Sequence, residues 1–484
     1  MPNIRLNRNE IKLITTVSKE AKNLGSQTYV VGGAVRSWLL RQSPADIDVV
    51  CFGATSEVVS RVAKRLKSHL VVLDQNRQIF RVPLPGGQVL DITSGGASLE
   101  ENASKRDFTM NALYVHLGRG NKVIIDDPLG GLSDLQNRKL RVISAQTFQS
   151  DPLRLLRAFR LCVEFDFEIY PSTLELIIDY AHLISLCAPE RLHDEWARIC
   201  RGRSSKVLPL MAQCGILTEL FPMLKETQDF LQSPPHYWSV FEHSYRCVMA
   251  VDYLLGQGEW LDLDRVNDHP YLDEEVETIL RSSAVALKTA ALLHDIGKPS
   301  CCSREEEQSR TRFIGHPAKG EELCRAILPN LRFNKKEIAQ ICAMVRDHMR
   351  PSQLAAKGQV PTAKAVFRFF KDNPYATEIL YLSLADHLAT SGPNLDLAEW
   401  KAHNEMVRYV ILLARSQQKR LIQSIPIKGN EIINHLHIPP SSDVALALRE
   451  AHAAQAEGAD RHEALRRAEM ALKFARRQCE VPLE

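Results

Sequence analysis

Asp46 and Asp48 are the first residues in the chain whose type and spacing indicate chemistry. They lie in DIDVVCF, which predicts a β-strand, and the two-residue period of a strand places both carboxylates on one face. Two acids on one face repel each other unless cations bind between them. Paired Mg²⁺ ions, which prefer oxygen ligands, activate a hydroxyl and neutralise a leaving pyrophosphate. The spacing therefore indicates two-metal phosphoryl transfer; the alternative is a solvated strand edge.

A glycine turn lies just ahead of these acids. Gly32 and Gly33 follow a predicted strand and open a predicted helix that carries Arg36. Without side chains, the glycines let backbone N–H groups approach a phosphate, and an arginine fork binds phosphate oxygens. Most glycine pairs are ordinary tight turns, so this element alone is weak evidence. Asp91, in the predicted neighbouring strand VLDIT, is a candidate third catalytic acid.

The elements that position these side chains change along the chain. Short predicted strands lie within the first 145 residues, and periodic helices dominate after residue 151. The length of 484 residues exceeds one ordinary core. There is no apolar run of membrane-spanning length, no signal-peptide core and no CxxC pair among the 11 cysteines. We therefore expect a cytoplasmic protein of several domains with no membrane partner.

Further segments follow the two acids in a specific order. They are KRDFTMNA (105–112), SDPLRLLRAFR (150–160) and Glu190-Arg191 with Glu195. In order and spacing, roughly the first 220 residues resemble class II tRNA nucleotidyltransferases and bacterial poly(A) polymerases. The resemblance implies an α+β fold, with a polymerase-β-like nucleotidyltransferase head followed by a helical neck, body and tail.

The same resemblance implies roles for individual residues. Asp46 and Asp48 would hold catalytic Mg²⁺, and Asp91 lies near them as a catalytic acid. The residues implied to bind the nucleotide are Gly32, Gly33, Arg36, Arg106, Asp107, Asn111, Asp151, Arg154, Arg157 and Arg160. The implied substrates are a tRNA 3′ end and CTP, with ATP as a second nucleotide.

Asp151 and Arg154 match the pair with which the family selects the incoming base. Three positions apart at the start of a helix, they share one face. An aspartate oxygen accepts from the exocyclic amine that cytosine and adenine carry, and an arginine fork donates to the ring nitrogen and carbonyl of the base. UTP and GTP present a carbonyl in place of that amine. The alternative is a helix-start acid and an arginine in a surface pair.

Three features depart from the family pattern. Ser37 stands where the family usually has Asp, and Ser150 where it usually has Glu. Only thirteen residues, ITSGGASLEENAS, separate Asp91 from Lys105, where CCA-adding and poly(A)-adding relatives carry a longer flexible loop. In the family that loop helps the site switch from C to A. Its shortness favours a CC-adding enzyme; CCA addition and poly(A) synthesis are the alternatives.

A second set of candidate ligands lies further along the chain. His243 precedes His294-Asp295-Ile296-Gly297-Lys298, and His316, His348 and Asp386 follow. Across about residues 236–400 this order resembles the HD phosphohydrolase superfamily, which implies an all-α domain. The implied metal ligands are His243, His294, Asp295 and Asp386, while His316, His348 and Lys298 would serve a second metal or a phosphate.

Imidazole and carboxylate ligands suit a divalent transition metal such as Mn²⁺, Ni²⁺, Fe²⁺ or Zn²⁺. Such a metal lowers the pKa of a bound water, and the resulting hydroxide attacks phosphorus. The HD resemblance implies phosphatase or 2′,3′-cyclic phosphodiesterase activity. The alternative is a domain that binds metal and serves only as a scaffold.

Basic residues cluster near the end of the chain. Residues 401–430 carry Arg415, Lys419, Arg420 and Lys428 with further basic residues against a single acid. Such a face holds RNA phosphates without reading sequence, although a solvated helix face has the same composition. Resemblance of the following helices to the tRNA-contacting tail of the family favours RNA binding.

These observations predict four domains. They are a head at 1–145, a neck and body at 146–235, an HD domain at 236–400 and a tRNA-binding tail at 401–484. Two other classes of protein remain open at this point: an HD phosphohydrolase with a decayed head, and a non-catalytic RNA-binding protein. The sequence does not predict the oligomeric state.

Overall fold

The computed structural model describes residues 4–260, 270–305, 310–356, 359–423 and 426–479. The chain divides into two compact units. The first runs to Ile199 and includes Leu210–Leu220, and the second comprises Cys200–Pro209 and the chain from Phe221 onward. No helix within these described ranges has the length and the apolar run that a membrane crossing requires.

The first unit contains a seven-stranded sheet in the order β3-β4-β5-β2-β1-β6-β7. β2 and β5 are parallel neighbours, and the other strand pairs are antiparallel. The strands are β1 (Gln27–Val31), β2 (Asp46–Phe52), β3 (Val71–Asp74), β4 (Ile79–Pro83), β5 (Val89–Ser94), β6 (Tyr114–Leu117) and β7 (Val123–Asp126). A separate parallel ladder joins β8 (Lys139–Leu140) to β9 (Glu168–Ile169).

Eleven helices begin in or border this unit. They are α1 (Arg8–Lys22), α2 (Gly33–Leu39), α3 (Thr55–Arg65), α4 (Leu99–Ser104), α5 (Gly131–Gln136), α6 (Gln146–Ser150), α7 (Leu153–Phe165), α8 (Pro171–Tyr180), α9 (Pro189–Arg201), α10 (Leu208–Gln213) and α11 (Ile216–Leu220). The start of α1 shows why a helix begins there: the Asn7 side chain accepts from the Glu10 amide, and the Glu10 carboxylate accepts from the Asn7 amide.

Alternation along the strands gives the sheet a core face and an open face. Ile47 and Val49 of β2 pack with Phe80 and Ile92 in one hydrophobic core beneath α1 and α3. The intervening residues point the other way, so Asp46 and Asp48 both project from the open face. The sheet thereby places the predicted catalytic acids on the side opposite its helical cover.

The second unit consists mainly of helices. They are α12 (Val240–Leu254), α13 (Glu274–Ser282), α14 (Ala284–Leu293), α15 (His316–Ile327), α16 (Lys335–Asp347), α17 (Ala363–Asp372), α18 (Ala376–Thr390), α19 (Leu397–Gln423), α20 (Gly429–Leu436), α21 (Ser442–Glu457) and α22 (Arg461–Cys479). All ten residues of α14 are buried, which fits its apolar composition on every side. α12, α16 and α18 pack around it.

The fold class inferred from the sequence is confirmed. The predicted strands DIDVVCF and VLDITS match β2 and β5 residue for residue. A small hairpin of β10 (Ser303–Glu305) and β11 (Arg310–Arg312), which the sequence analysis missed, interrupts the region expected to be all-α. The predicted boundary after residue 400 falls inside the continuous helix α19, so the chain does not break there.

A buried ion pair fixes the first residues of the second unit to its helices. Lys288 of α14 pairs with Asp252 of α12, and neither side chain is more than 1% exposed. The Lys288 ammonium also donates to the carbonyl oxygen of Gly202 at 2.7 Å, and Asp252 accepts from the Ser204 hydroxyl at 3.0 Å. Removal of one partner would leave the other charge buried without compensation.

We therefore expect Lys288→Ala to destabilise the second unit by about 3–5 kcal/mol, the usual cost of breaking a buried pair. Urea and thermal unfolding of the full chain would measure this loss. Lys319→Ala, which removes the exposed partner of Glu322, is the matched control and should change little. The double variant Lys288→Met with Asp252→Leu should recover part of the loss; equal stability of Lys288→Ala and wild type would contradict the assignment.

Candidate active site and metal centre

Three acids meet at the centre of the open face of the sheet. Asp48 of β2 is the register partner of Asp91 on β5, and Asp46 lies two residues before Asp48. Burial raises the pKa of Asp48; Arg106 opposes this rise, and Asp91 and Asp46 add to it. The acids therefore form the crowded negative site that the sequence analysis expected, and a cation beside Asp48 would relieve their repulsion.

Asp91 has a partner that the sequence analysis did not identify. Arg81 of β4 lies opposite it in the register, and its Nε and Nη2 donate to the two Asp91 oxygens at 2.8 Å each. This bidentate pair holds the Asp91 carboxylate in one orientation. The role of Asp91 as a catalytic acid stays a prediction, and Arg81 must be included in any account of it.

The glycine turn fits closely against these acids. Gly32 has a φ of 75°, which favours glycine, and a Cβ there would lie 3.5 Å from Asp48 Oδ2 and 3.4 Å from Arg106 Nη1. Arg36, for which phosphate binding stays a prediction, has intramolecular partners. Its guanidinium stacks on Phe165 at 4.2 Å and donates to Asn111 Oδ1 at 2.6 Å, and burial lowers its pKa to about 10. Arg36 therefore positions Asn111 from below the site.

A cavity of about 1060 Å³ opens beside the acids within the first unit. Six basic side chains line it together with the acids Asp107 and Asp151: Arg77, Lys105, Arg106, Arg154, Arg157 and Arg191. Convergent cations are what a triphosphate requires, because charge-assisted hydrogen bonds to phosphate oxygens are short and strong. The cavity brings together half of the nucleotide-binding residues inferred from the sequence: Arg106, Asp107, Asp151, Arg154 and Arg157.

A hydrogen-bond network fixes the wall of this cavity. Asp107 Oδ1 accepts from Asn111 Nδ2 at 2.9 Å, and Arg157 lies between Asp107 Oδ2 at 3.5 Å and Glu195 Oε1 at 3.2 Å. Glu195 Oε2 also pairs with Arg160 at 2.8 Å. Arg160 is buried behind Arg157 and is not among the lining residues. Arg160 shares Glu195 with Arg157 and so supports it, and the predicted direct contact of Arg160 with nucleotide stays a prediction.

The pair expected to read the base lies at the far wall. Asp151 precedes α7 and sits 4.0 Å from Arg154 Nε. Its closest ion partner is Arg191 of α9, at 2.9 Å, a contact that the sequence analysis did not predict. Although burial by itself raises the pKa of Asp151, the hydrogen bond from Arg191 and the charges of Arg154 and Arg157 lower it overall. Asp151 is therefore an anionic acceptor held between two guanidinium groups.

The short segment between β5 and Lys105 forms another wall of the cavity. Its second half is the helix α4, which Ser98 caps by accepting from the Glu101 amide. Asn102 ties this helix down, since its Nδ2 donates to Gly95 O at 3.1 Å and its Oδ1 accepts from the Tyr114 hydroxyl at 2.8 Å. These hydrogen bonds anchor the segment, which is too short to include the long flexible loop that CCA-adding relatives carry.

A second polar centre lies inside the second unit. His243 of α12 and the pair His294 and Asp295 after α14 present ligand atoms within 4.8 Å of one another, and Asp386 of α18 reaches His243 Nε2 at 3.0 Å. Asp295, His316 and His348 form another such group, so Asp295 belongs to both. All the ligands predicted from the HD resemblance are brought together.

The histidines are oriented as metal ligands. The Nδ1 atoms of His294, His316 and His348 lie 2.7–2.8 Å from backbone carbonyl oxygens, which assigns a proton to each Nδ1 and leaves Nε2 facing inward. The inward nitrogens then meet in pairs: His243 and His294 at 3.1 Å, and His316 and His348 at 3.3 Å. Because Nδ1 carries the proton in both His316 and His348, their Nε2 lone pairs repel at this distance unless a cation lies between them, so this donor set fits a metal.

Charge in this centre is strongly coupled. Burial disfavours the imidazolium form of His294, but Asp295 and Asp386 outweigh it and raise its pKa to about 10. Burial likewise opposes ionisation of Asp295, yet His294 and Lys298 hold its pKa well below the usual range. Lys298 Nζ lies 2.6 Å from both Asp295 Oδ2 and Gln232 Oε1. The centre therefore demands positive charge close to both carboxylates.

Several residues around this centre were not predicted. A cavity of about 620 Å³ above the ligands is also lined by His236, His387 and His403. His236 is the first residue of the predicted HD domain, and His403 lies beyond its predicted end at residue 400. Gly297 shows one local constraint: a Cβ there would lie 2.3 Å from the His316 carbonyl oxygen. Only glycine lets the turn after Asp295 approach α15 closely enough to bring His316 to the cluster.

Two of the basic residues assigned to RNA binding have intramolecular partners. Arg415 pairs with Asp273 and with Glu275, and Arg420 Nη1 donates to the carbonyl oxygen of Glu457 at 3.2 Å. These contacts tie α19 to α13 and to the end of α21. Lys419 and Lys428 are exposed and remain the better candidates for phosphate contacts.

We expect purified protein to retain divalent metal at the His/Asp centre, and Asp295→Ala to lose all of it because Asp295 serves both ligand groups. His294→Ala and His348→Ala should each lose metal from one group only. Elemental analysis of the dialysed proteins would measure this, with the exposed His182→Ala in the first unit as control. Full metal retention by Asp295→Ala would contradict the assignment.

Comparisons with known proteins agree with this geometry. Family models match in chain order the poly A polymerase head domain at residues 28–141, the probable RNA and SrmB-binding site of polymerase A at 166–227 and the HD domain at 240–391. The A-adding tRNA nucleotidyltransferase of Deinococcus radiodurans is 30% identical over 449 residues, covering 89% of this chain and 91% of the relative. The CC-adding tRNA nucleotidyltransferase of Thermus thermophilus is 30% identical over 439 residues, with 89% and 90% covered.

Solved structures show the same fold. The Thermotoga maritima CCA-adding enzyme complexed with tRNA superposes with a TM-score of 0.67 at 19% identity, covering 97% of each chain. At this identity the likeness concerns the fold alone. The full-length sequence relatives carry more, and with them the chain belongs to the tRNA nucleotidyltransferase family, as a nucleotidyltransferase that carries an HD domain.

Proposed function

We propose that this protein adds nucleotides from CTP to the 3′ end of tRNA and that its product ends in CC. One observation supports this most: Asp46 and Asp48 share the open face of the sheet, beside a cavity lined by six basic residues, with Asp151 next to one of them, Arg154. A triphosphate in that cavity would lie with its charged end among the cations. The four-domain division inferred from the sequence is kept as part of this proposal.

In this proposal Asp46 and Asp48 hold Mg²⁺. The metal would supply activation of the RNA 3′ hydroxyl and neutralisation of the departing pyrophosphate. The protein's own part is to bind and orient the nucleotide. Lys105, Arg106 and Arg157 bind phosphate oxygens, while Asp107 and Asn111 hold the sugar side in the orientation that their mutual hydrogen bond fixes.

In this proposal the residues at the far wall of the cavity select the base. Asp151, kept anionic by Arg191 and Arg154, accepts from the exocyclic amine of cytosine, and Arg154 donates to the ring nitrogen and carbonyl. Adenine carries the same amine on a larger ring system. The fixed α4 wall leaves no mobile segment to enlarge the pocket, which favours termination after CC over continuation to A. The full-length relatives do not decide this point, because an A-adding and a CC-adding enzyme are equally identical.

We expect a tRNA transcript that ends at the discriminator base to gain two C residues from CTP and no further A when ATP is added. Single-nucleotide resolution of the labelled products would show this. Efficient addition of a terminal A would exclude the CC-only reading, and a long tail from ATP alone would identify a poly(A) polymerase instead.

Asp46→Asn and Asp48→Asn should each lower the rate of incorporation about a thousandfold or more, since a metal contributes several kcal/mol to the transition state. Glu57→Gln on α3 removes an exposed acid from the opposite side of the sheet and serves as control. RNA binding should survive in all three variants. Unchanged incorporation by Asp48→Asn would refute the assignment of the catalytic acids.

We further propose that the HD centre hydrolyses phosphate esters at RNA ends, as a phosphatase or a 2′,3′-cyclic phosphodiesterase. Its imidazole-rich ligands favour Mn²⁺, Ni²⁺, Fe²⁺ or Zn²⁺ over Mg²⁺. The paired inward nitrogens and the shared Asp295 support two adjacent metals, with Lys298 placed to meet a phosphate oxygen. Such an activity would supply the free 3′ hydroxyl that nucleotide addition requires.

Hydrolysis of p-nitrophenyl phosphate and of 2′,3′-cyclic CMP, with each of these metals added in turn, should be lost in Asp295→Ala while CTP incorporation is retained. Asp46→Asn is the reciprocal control, which should keep hydrolysis and lose incorporation. Absence of metal-dependent hydrolysis in the wild-type protein would leave the HD domain a structural role only.

For the tail, we propose that the exposed Lys419 and Lys428 contact tRNA phosphates. Arg415 and Arg420 would contribute by holding α19 in place, given their partners within the second unit.

A further inference from the structure

One charged group on the open face of the sheet has no part in the function proposed so far. Arg81 stands on β4, and its side chain is 40% exposed although it pairs with a carboxylate that is only 16% exposed. In the register, Val71, Arg81, Asp91 and Asp48 form one row across β3, β4, β5 and β2. Arg81 therefore lies two strand spacings from Asp48, roughly 10 Å by backbone geometry.

The nucleotide cavity lies to one side of this row. Its lining includes Ile79 and Thr93, which form the next row on the same face, whereas Arg81 is not among the lining residues. The triphosphate proposed for the cavity leaves pyrophosphate on that side. In phosphoryl transfer the attacking and leaving oxygens lie roughly in line. The RNA 3′ hydroxyl would therefore approach from the opposite side, where the exposed Asp46 lies, and its strand would pass the row that Arg81 shares with Asp91 and Asp48.

Arg81 retains hydrogen-bonding capacity in this position. Nε and Nη2 serve Asp91, and within the described residues no acceptor bonds to Nη1. An arginine has five N–H donors in a fixed fork, so the Nη1 end is available for a second anion. A phosphodiester oxygen is the anion that an incoming RNA strand presents first.

We propose that Arg81 is a positioning residue for the attacking end of the RNA, holding Asp91 with one edge of its guanidinium and a phosphate of the 3′-terminal nucleotides with the other. This proposal rests on the proposed transferase function and adds to it a residue that holds the 3′ end of the RNA. The pairing with Asp91 couples the position of that phosphate to the acid beside Asp48. A lysine cannot reproduce the bidentate pair with Asp91 while it binds a phosphate, because its ammonium lacks the planar fork of a guanidinium.

The test compares Arg81→Ala and Arg81→Lys with wild type in the full chain. Arg65→Ala is the matched control, since it removes an exposed arginine from α3 on the opposite side of the same sheet. The probe is a tRNA transcript that ends at the discriminator base. Affinity is measured by fluorescence anisotropy at several salt concentrations without CTP, and KM for RNA and for CTP is measured separately.

Arg81→Ala should raise the Kd and the KM for RNA about tenfold, as expected for the loss of one charged hydrogen bond, and leave the KM for CTP unchanged. The slope of log affinity against log salt should fall by about 0.7, the share of one contact to single-stranded RNA. Arg81→Lys should restore this slope but keep a reduced kcat. The control should match wild type in every measurement.

A second RNA lacking the discriminator nucleotide locates the contact. Wild type should bind this shorter RNA more weakly than the full transcript. For Arg81→Ala the difference in affinity between the two RNAs should be smaller, because the substitution and the truncation remove the same interaction. The proposal would be overturned if Arg81→Ala left the RNA affinity and the salt slope unchanged. It would also be overturned if the substitution raised the KM for CTP and not the KM for RNA. If wild type adds no nucleotide at all, the transferase proposal fails, while the binding and salt measurements still decide the role of Arg81.

Discussion

Repulsion between like groups, relieved by cations, is the constraint on which both centres of this protein depend. On the open face of the sheet, Asp46, Asp48 and Asp91 crowd together, and burial raises the pKa of Asp48. In the helical unit, imidazole nitrogens face one another at 3.1 and 3.3 Å. Without a cation, each arrangement costs free energy, because the grouped polar atoms repel one another. Each makes physical sense as a site that binds positive charge, and the surrounding elements serve to keep the repelling groups together.

The two centres achieve this by different means. In the sheet, strand register places side chains in rows, and a fixed guanidinium, Arg81, neutralises one acid so that the others remain for metal. In the helical unit, backbone carbonyl oxygens fix the Nδ1 atoms of three histidines and thereby direct Nε2 inward. Hard oxygen ligands suit Mg²⁺ and imidazole suits transition metals, so the two sets of ligands favour different ions.

Much of this arrangement could be predicted from the sequence, and the remainder has a common cause. The period-2 pattern of DIDVVCF gave the strand and the shared face of Asp46 and Asp48, and the order of the HD motif identified its ligands. Arg81 and His236 were missed, and Arg191 was noted only as part of a motif, because their partners lie 10, 7 and 40 residues away, in elements whose pairing no local pattern reveals. For Arg36 and Arg160 the sequence could not reveal their intramolecular partners, because an arginine that supports a neighbour has the same motif as one that binds a ligand.

This difference between supporting and binding residues bears on how the site selects its chemistry. Arg36 and Arg160 are largely buried, their guanidinium groups bond to Asn111 and Glu195, and these in turn hold Asp107 and Arg157. Burial lowers the pKa of both arginines despite nearby acids, a cost that only a rigid wall would justify. The cations that line the cavity are thus held in place before a nucleotide arrives. If α4 is held in the same way, the pocket of the proposed transferase would keep one size, and its discrimination between cytosine and adenine would depend on that size more than on movement.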